Sequence, residues 1–244
     1  MIAYEEADYA QAVARCRALE GRLLRRADLD RLLETPGLGE CWKLARDLAG
    51  IQESGQVDEF EAALGAELAR FYAYVSGFLP DSSVPGWLLL RYDYHHLKVL
   101  MKEMWLGEAA DAAAYGRLGN YAIAQLRRQL SSPESEEPEY PEVVASWKDR
   151  LPRAYRSAIA AARQAWEESA GAQVIDLVLD RFLFAAMAGQ ATNLGPLFQE
   201  FTAALADLAN LKVLLRCARL GKDRAFLREA LVPGGAIPVP KWLE

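Results

Sequence analysis

Residues 93–102 read Asp93-Tyr-His-His-Leu-Lys-Val-Leu-Met-Lys102, and residues 207–216 read Asp207-Leu-Ala-Asn-Leu-Lys-Val-Leu-Leu-Arg216. The aspartate, the Leu-Lys-Val-Leu run and the final base match without a gap, and the match resumes at Leu106-Gly107 and Leu220-Gly221. Each residue lies 114 positions before its counterpart. A match at one constant offset favours an internal duplication over coincidence. We therefore expect two related helical units in tandem, residues 1–115 and residues 116–244.

Each copy has the pattern of an amphipathic helix. Its apolar residues recur at helical spacing, and they are Leu97, Leu100, Met101 and Met104 in the first copy and Leu211, Leu214, Leu215 and Ala218 in the second. Gly107 and Gly221 are placed to end these helices as C-caps. Asp93 and Asp207 are expected early in their helices, where the helix dipole favours a carboxylate. Pairing of these acids with an arginine of another helix in the same unit is the alternative.

The remainder of the chain also predicts helices. Proline and glycine cluster at 35–39, 77–86, 131–141 and 233–240, and the stretches between are rich in Ala, Leu, Arg and Glu. These residues are strong helix formers, and alternating strand patterns are scarce. The sequence therefore predicts an all-α protein. The main helices are expected at about 6–26, 58–78, 86–106, 109–130, 153–170, 172–188, 194–220 and 222–231, with shorter ones at 28–33, where Asp28 is the expected cap, 39–48 and 142–149.

The segment 131–141 reads Ser-Ser-Pro-Glu-Ser-Glu-Glu-Pro-Glu-Tyr-Pro. It is acidic and rich in proline, so it can bury little apolar surface. We expect it to be an exposed connection near the start of the second unit. We interpret this acidic run as a solvated linker and not as a cation site.

Composition narrows the possible functions. The net charge is −6 and the pI about 5.2, so a basic footprint for nucleic acid is not expected. The three cysteines, Cys16, Cys41 and Cys217, are far apart and form no CxxC pair, which predicts neither a zinc site nor a disulfide framework. No apolar run approaches the roughly 18 residues that a membrane-spanning helix needs.

The chain contains no motif of catalysis or cofactor binding that we could find. His95 and His96 are the only histidines, and adjacent helical residues point about 100° apart, so the pair is poorly placed to chelate one metal. We expect one ring at a packing position and the other exposed. GxGxxG, GxxxxGK[ST] and GxSxG patterns are absent, and the glycines at 233–238 are interpreted as a turn. The sequence thus predicts no catalytic residue, cofactor or metal.

The repeated segments resemble a known family. Residues 91–102 are similar to the Tyr-Asp-x-x-Asn-Leu-Lys signature of the C subunits of A- and V-type ATPases, whose eukaryotic counterparts are called d subunits. Residues 207–212, followed by Leu220-Gly221 and Leu231-Val-Pro-Gly-Gly235, resemble it as well. Tyr9–Glu20 looks like the first helix of that family. His96 stands where the family commonly has Asn, while Asn210 keeps it.

The resemblance implies a shortened version of a three-unit, pseudo-threefold funnel. In this family the protein does not catalyse a reaction. It lies on the cytoplasmic face of the proteolipid ring, receives the central stalk and passes torque between them, in proton or sodium transport. The implied partners are the shaft subunits and the ring, with the membrane contacted only through the ring. The signature positions Asp93, Lys98, Asp207, Asn210 and Lys212 are expected to be structural, and Arg15 and Arg17 are candidate partners for the two acids.

Two other classes of function fit the residues. A helical scaffold or adaptor unrelated to rotary ATPases would have the same repeat and the same lack of catalytic motifs. A helical enzyme with an unfamiliar site would require a deep pocket with converging acids and perturbed pKa values. Co-purification with proteolipid and stalk subunits distinguishes the rotary motor from the adaptor.

Overall fold

The computed structural model describes residues 6–51, 60–111, 114–131, 151–169 and 171–244. Every regular element in these ranges is helical and none is a strand, which confirms the all-α class. After a short 3-10 turn at Glu6–Tyr9, the α-helices run as follows: α1 Ala10–Glu20, α2 Arg26–Glu34, α3 Leu38–Ala49, α4 Phe60–Ser76, α5 Ser83–Leu106, α6 Ile123–Ser131, α7 Arg153–Ser169, α8 Ala172–Leu194, α9 Pro196–Leu220, α10 Arg224–Ala230 and α11 Val239–Trp242.

Several helix ends match the sequence signals. Gly107 and Gly221 follow α5 and α9 with φ angles of 71° and 63°, a left-handed conformation that glycine adopts at low cost. Pro196 is the first residue of α9, where its missing N–H removes no helical hydrogen bond. The predicted C-caps are therefore confirmed, and α9 begins two residues after the predicted position 194.

The predicted helix 6–26 was wrong at its C-terminal end. α1 ends at Glu20, and α2 begins at Arg26. Asp28 is not the N-cap residue of α2. It lies in the first turn, and its carboxylate accepts the backbone N–H of Arg25 at 2.9 Å. An acid three residues inside the helix satisfies that end equally well, and the sequence pattern could not separate the two registers.

The predicted helix 109–130 was also wrong at its start. In the described residues of this stretch, the regular α-helix begins only at Ile123. The preceding backbone is irregular and includes Gly119, whose positive φ is incompatible with an α-helix. Nearly all of the predicted 131–141 linker and the whole predicted helix 142–149 lie outside the described residues, while Ser131 ends α6.

The chain forms two compact units, Met1–Pro85 and Gly86–Glu244. In the first, Trp42 of α3 is buried and meets the edge of the Phe60 ring at 6.2 Å. α4 buries two small residues, Ala63 and Ala66. These compact units have other bounds than the duplicated units 1–115 and 116–244 expected from the sequence. The duplicated units stay a prediction.

The second unit contains the larger core. α5 buries Trp87, Leu97 and Met101, and they belong to one apolar cluster with Tyr155 of α7 and Leu179 of α8. α8 packs against both α7 and α9. A second, smaller cluster joins Cys217 of α9 to Leu227 and Leu231. Burial of these faces from water is the main force that holds the unit together.

The three cysteines differ in burial. Cys16 and Cys41 are partly buried and Cys217 is buried, and all three thiols are free. Within the described ranges, none of the helices combines the length and the apolar character needed to cross a bilayer.

Candidate functional site

Asp93 is a buried carboxylate that holds a loop. Its side chain is 0% exposed, and its Oδ1 accepts the backbone N–H groups of Asn120 at 2.7 Å and Tyr121 at 3.3 Å. Oδ2 accepts the Asn120 Nδ2 donor at 2.7 Å and the Tyr155 hydroxyl at 2.7 Å. Burial raises the pKa of Asp93, and these hydrogen bonds oppose that shift. The carboxylate therefore fastens the loop before α6 to the middle of α5.

Asp207 holds the corresponding loop of the second copy. It accepts the backbone N–H of Ala236 at 3.0 Å through Oδ2 and that of Ile237 at 3.2 Å through Oδ1. Unlike Asp93, it is only partly buried, and among the described residues we find no side chain that donates to it. Asp207 thus repeats the hydrogen bonds from the loop backbone that Asp93 accepts, but not those from side chains. We call these two arrangements the Asp93 clamp and the Asp207 clamp.

A glycine precedes each clamped pair of N–H groups. A Cβ at Gly119 would lie 2.9 Å from Asp93 Oδ1, and one at Gly235 would lie 2.1 Å from Asp207 Oδ1. Both distances are shorter than real side chains tolerate, so a larger residue would push the carboxylate away from its donors. Glycine is required at both positions because the loop backbone passes directly over the carboxylate.

The residue three positions after each aspartate also faces the loop. Asn210 is buried and exchanges two hydrogen bonds with the backbone of Val232, at 3.0 Å to the carbonyl and 2.8 Å from the N–H. His96 is 2% exposed, and neither ring nitrogen has a hydrogen-bond partner in the described part of the chain. Burial, helped by the neighbouring His95, lowers the pKa of His96 to about 4. The ring is therefore neutral near pH 7.

The two histidines behave as the sequence predicted, with one packed and one exposed. His95 is exposed, and its Nε2 lies 3.0 Å from the carbonyl oxygen of Ala114. The rings are 6.0 Å apart and tilted by 56°. In the ranges that the structure describes, no three His, Cys, Asp or Glu side chains come together in a group able to hold a metal ion.

The clamps match position by position. On the helices, Asp93 corresponds to Asp207 and His96 to Asn210 at an offset of 114, while in the loops Gly119 corresponds to Gly235 at an offset of 116. The second loop is therefore two residues longer. The two clamps are therefore alike at these positions, and the duplication of whole units stays a prediction.

The lysines of the first signature segment join α5 to α8. Lys98 Nζ lies 2.6 Å from Asp180 Oδ1, and Lys102 Nζ lies 2.7 Å from Asp176 Oδ2. Both pairs are partly buried, so water screens them less than a surface pair. Lys212 is the counterpart of Lys98, and it is exposed. We find no ion pair of Lys212 among the described residues.

The two arginines of α1 have partners within their own unit. Arg17 pairs with Glu20 at 2.8 Å, and this bond raises the pKa of the guanidinium. The Arg15 guanidinium lies over the Phe78 ring, 5.4 Å from its centroid, in a cation–π contact. Asp93 and Asp207 accept their hydrogen bonds from the groups named above, so pairing with Arg15 or Arg17 stays a prediction.

The position of the two acids on their helices corrects one expectation. α5 begins at Ser83 and α9 at Pro196, which places Asp93 and Asp207 near the middle of each helix and not early in it. The dipole field is strong only within the first turn. Loop N–H groups, rather than the helix end, therefore stabilise these carboxylates.

Sequence reasoning missed Tyr155 and Asn120, which donate to Asp93 through their side chains. Tyr155 is 62 residues from Asp93 along the chain, and nothing in its local pattern distinguishes it from another buried aromatic. The paired glycines at 234–235 were a usable signal, because such a turn lets a backbone approach another group closely. With its oxygens fully engaged, Asp93 acts as a structural acceptor.

The fold and the clamps define an all-α protein in which central carboxylates fix the loops between helices. A model of the ATP synthase (C/AC39) subunit family matches residues 12–242. This chain belongs to that family.

Curated relatives agree. The chain is 25% identical over 181 residues to the C subunit of the V-type sodium ATPase of Enterococcus hirae, covering 74% of this chain and 51% of that protein. It is 25% identical over 235 residues to the C subunit of the A-type ATP synthase of Methanothermobacter thermautotrophicus, covering 93% and 59%. It is also 25% identical over 224 residues to the C subunit of the A-type ATP synthase of Methanocaldococcus jannaschii, covering 86% of this chain and 54% of that protein. The chain thus spans about half the length of these relatives.

Proposed function

We propose that this protein is a non-catalytic central-stalk component of a rotary A/V-type ATPase, which links the rotor shaft to the membrane proteolipid ring in proton or sodium transport. The family match over residues 12–242 is the observation that carries the proposal. The relatives are named as subunits of a V-type sodium ATPase and of A-type ATP synthases. In this role the chain lies peripherally at the cytoplasmic face and meets the membrane only through the ring.

The second unit has the mechanical character that this role needs. α8 and α9 contain 23 and 25 residues, so each extends roughly 35 Å at 1.5 Å per residue. α5 is joined to α8 through its apolar face and through the ion pairs of Lys98 and Lys102. Close-packed helices of this kind deform little under load, which suits a part that passes torque between two others.

The signature residues contribute to stiffness rather than to chemistry in this proposal. Asp93 and Asp207 hold the loops, and Asn210 adds two buried bonds to the second loop. Lys98 fixes α5 against α8. A loop tied to a helix at its centre cannot swing independently, so the helices and loops of the unit move together. Lys212 is proposed to act in the same way once its surface is covered.

The adaptor hypothesis is the alternative that family membership disfavours. It would require a protein that keeps the sequence pattern of the family over most of the chain while serving an unrelated complex. An observed set of partners without any rotor protein would be needed to favour it.

The test is co-purification from the cells that make this protein. Affinity-tagged full-length chain, isolated from gently solubilised membranes, should bring down central-stalk and proteolipid subunits identified by mass spectrometry. Deleting the gene should abolish ATP-driven ion transport in membrane vesicles, and the wild-type gene should restore it. Recovery of partners that include neither stalk nor proteolipid, or intact ion transport in the deletion strain, would overturn the proposal.

A further inference from the structure

α9 exposes a stripe of apolar side chains at positions that α5 buries. Trp87 is 1% exposed, whereas Phe201, whose ring centroid lies 6.0 Å from that of Trp87, is still 49% exposed. Tyr94, Leu97 and Met101 are each 0% exposed, and their counterparts Leu208, Leu211 and Leu215 are 48%, 42% and 61% exposed. Leu197, at 73%, extends the stripe by one more turn. The same surface is therefore a core face in the first copy and a solvent face in the second.

The structure shows what covers this surface on α5. Tyr155 of α7 stacks on Tyr94 with ring centroids 5.3 Å apart, and its hydroxyl donates to Asp93. α8 supplies two carboxylates, Asp176 and Asp180, four residues apart and paired with Lys102 and Lys98. A tyrosine on one helix and an acidic pair on the next thus complement this face.

α9 carries the groups that would receive the same complement. Asp207 accepts only backbone N–H groups within the described part of the chain. Lys212 and Arg216 correspond to Lys98 and Lys102, and both are exposed. We find no carboxylate paired with either base among the residues that the structure describes. The stripe, the acceptor and the two bases lie on a single helix in the same order as on α5.

We propose that α9 is a docking surface for two packed helices of another protein. One helix presents a tyrosine that donates to Asp207, and the other presents two carboxylates four residues apart that pair with Lys212 and Arg216. The apolar stripe supplies the buried area, and the charges set the register. This docking surface is inferred from the correspondence of α5 and α9, so it does not depend on the rotary ATPase assignment.

A second copy of this chain fits this surface less well. In each molecule Tyr155 is bonded to Asp93, and Asp176 and Asp180 are paired with the lysines of α5. Offering α7 and α8 to a neighbour would require opening the core that contains Trp87 and Leu97. A different polypeptide with the same recognition groups binds without that cost.

The test uses a labelled synthetic peptide of residues 151–195 as the probe, because it carries Tyr155, Asp176 and Asp180 in their native spacing. Fluorescence anisotropy with the full chain should give saturable 1:1 binding, and circular dichroism should show helix gained on mixing. The variant K212E/R216E should bind at least tenfold more weakly. The probe carrying D176K/D180K should recover binding to that variant. Arg228→Glu, an exposed reversal on α10, should bind like the wild type.

A tethered form removes the folding of the peptide as an obstacle. The same segment, attached to the full chain through a Gly/Ser linker, has a high effective concentration. It should raise the Tm of the fusion relative to a fusion that carries K212E/R216E. Equal binding of the peptide by wild type and K212E/R216E overturns the proposal. So does the absence both of peptide binding and of a rise in Tm in the tethered form. So does a wild-type dimer in sedimentation that becomes monomeric in L211E/L215E, because a second copy would then be the occupant.

Discussion

Asp93 and Asp207 each accept the backbone N–H groups of two consecutive loop residues, Asn120 with Tyr121 and Ala236 with Ile237. The carboxylates stand 114 residues apart in the sequence and in the same position of a repeated motif. They differ in what else surrounds them, since Asp93 also accepts the Tyr155 hydroxyl. This difference makes the energetic role of each contact measurable within one molecule.

Removing the Tyr155 hydroxyl should be costly because it donates to a buried carboxylate. We expect Tyr155→Phe to lower the free energy of unfolding by about 2 kcal/mol, as for a hydrogen bond to a charged group. Tyr94→Phe is the matched control: the two rings stack, but the buried Tyr94 hydroxyl has no hydrogen-bond partner among the described residues. It should change stability by less than about 0.5 kcal/mol or increase it. Urea unfolding measures both, and equal losses would contradict the assignment.

The two aspartates should differ in their contribution to stability. Asp93→Asn replaces an acceptor of four hydrogen bonds in a buried site, and we expect a loss of about 3 kcal/mol. Asp207→Asn affects a half-buried group with two backbone donors, so a loss of about 1 kcal/mol is expected. Chemical denaturation under one set of conditions compares them. A larger loss for Asp207→Asn would show that burial does not govern the clamps.

The loop glycines should not tolerate a methyl group. Gly235→Ala would place Cβ 2.1 Å from Asp207 Oδ1, and we expect it to lower the free energy of unfolding by about 2 kcal/mol or more. Gly189→Ala, on an exposed position of α8 with open space for Cβ, should raise it by about 0.5–1 kcal/mol through helix propensity. Thermal unfolding distinguishes the two. Comparable stability of both variants would mean that the loop shifts freely.

Stability should fall on acidification because of His96. Its folded-state pKa is about 4, below the usual value of 6.5, so the unfolded chain takes up the proton first as the pH drops. The free energy of unfolding is therefore unaffected by this ring above pH 6.5. Between pH 6.5 and pH 4 it falls progressively, by up to about 3 kcal/mol. Asp93 has the opposite sign, because its raised pKa makes the folded state gain stability from protonation.

His96→Asn tests this source of pH dependence. The substitution copies Asn210, which bonds to a loop backbone, and it should remove most of the slope between pH 6.5 and 4. His95→Asn leaves the buried ring in place and should retain most of that slope. Unfolding free energies across this pH range measure both variants. An unchanged slope in His96→Asn would place the titrating group elsewhere.

Local features could be read directly from the sequence. The α-helical class and the C-cap glycines 107 and 221 depend on interactions within a few residues, so composition and spacing predicted them. The extent of the helix before Ile123 was wrong, because helix propensity there loses to the backbone bonds that the loop makes with Asp93. Propensity is a weak prior when tertiary contacts compete with it.

The sequence by itself determined the all-α class, the repeated motif and the family to which the chain belongs. The tertiary structure decided which copy of that motif is covered. Met101 and Leu215 occupy the same motif position and have similar side chains, yet one is 0% and the other 61% exposed. Helix periodicity fixes the face on which a side chain lies. Burial depends on which distant segment packs there, and for α5 that segment lies beyond residue 150.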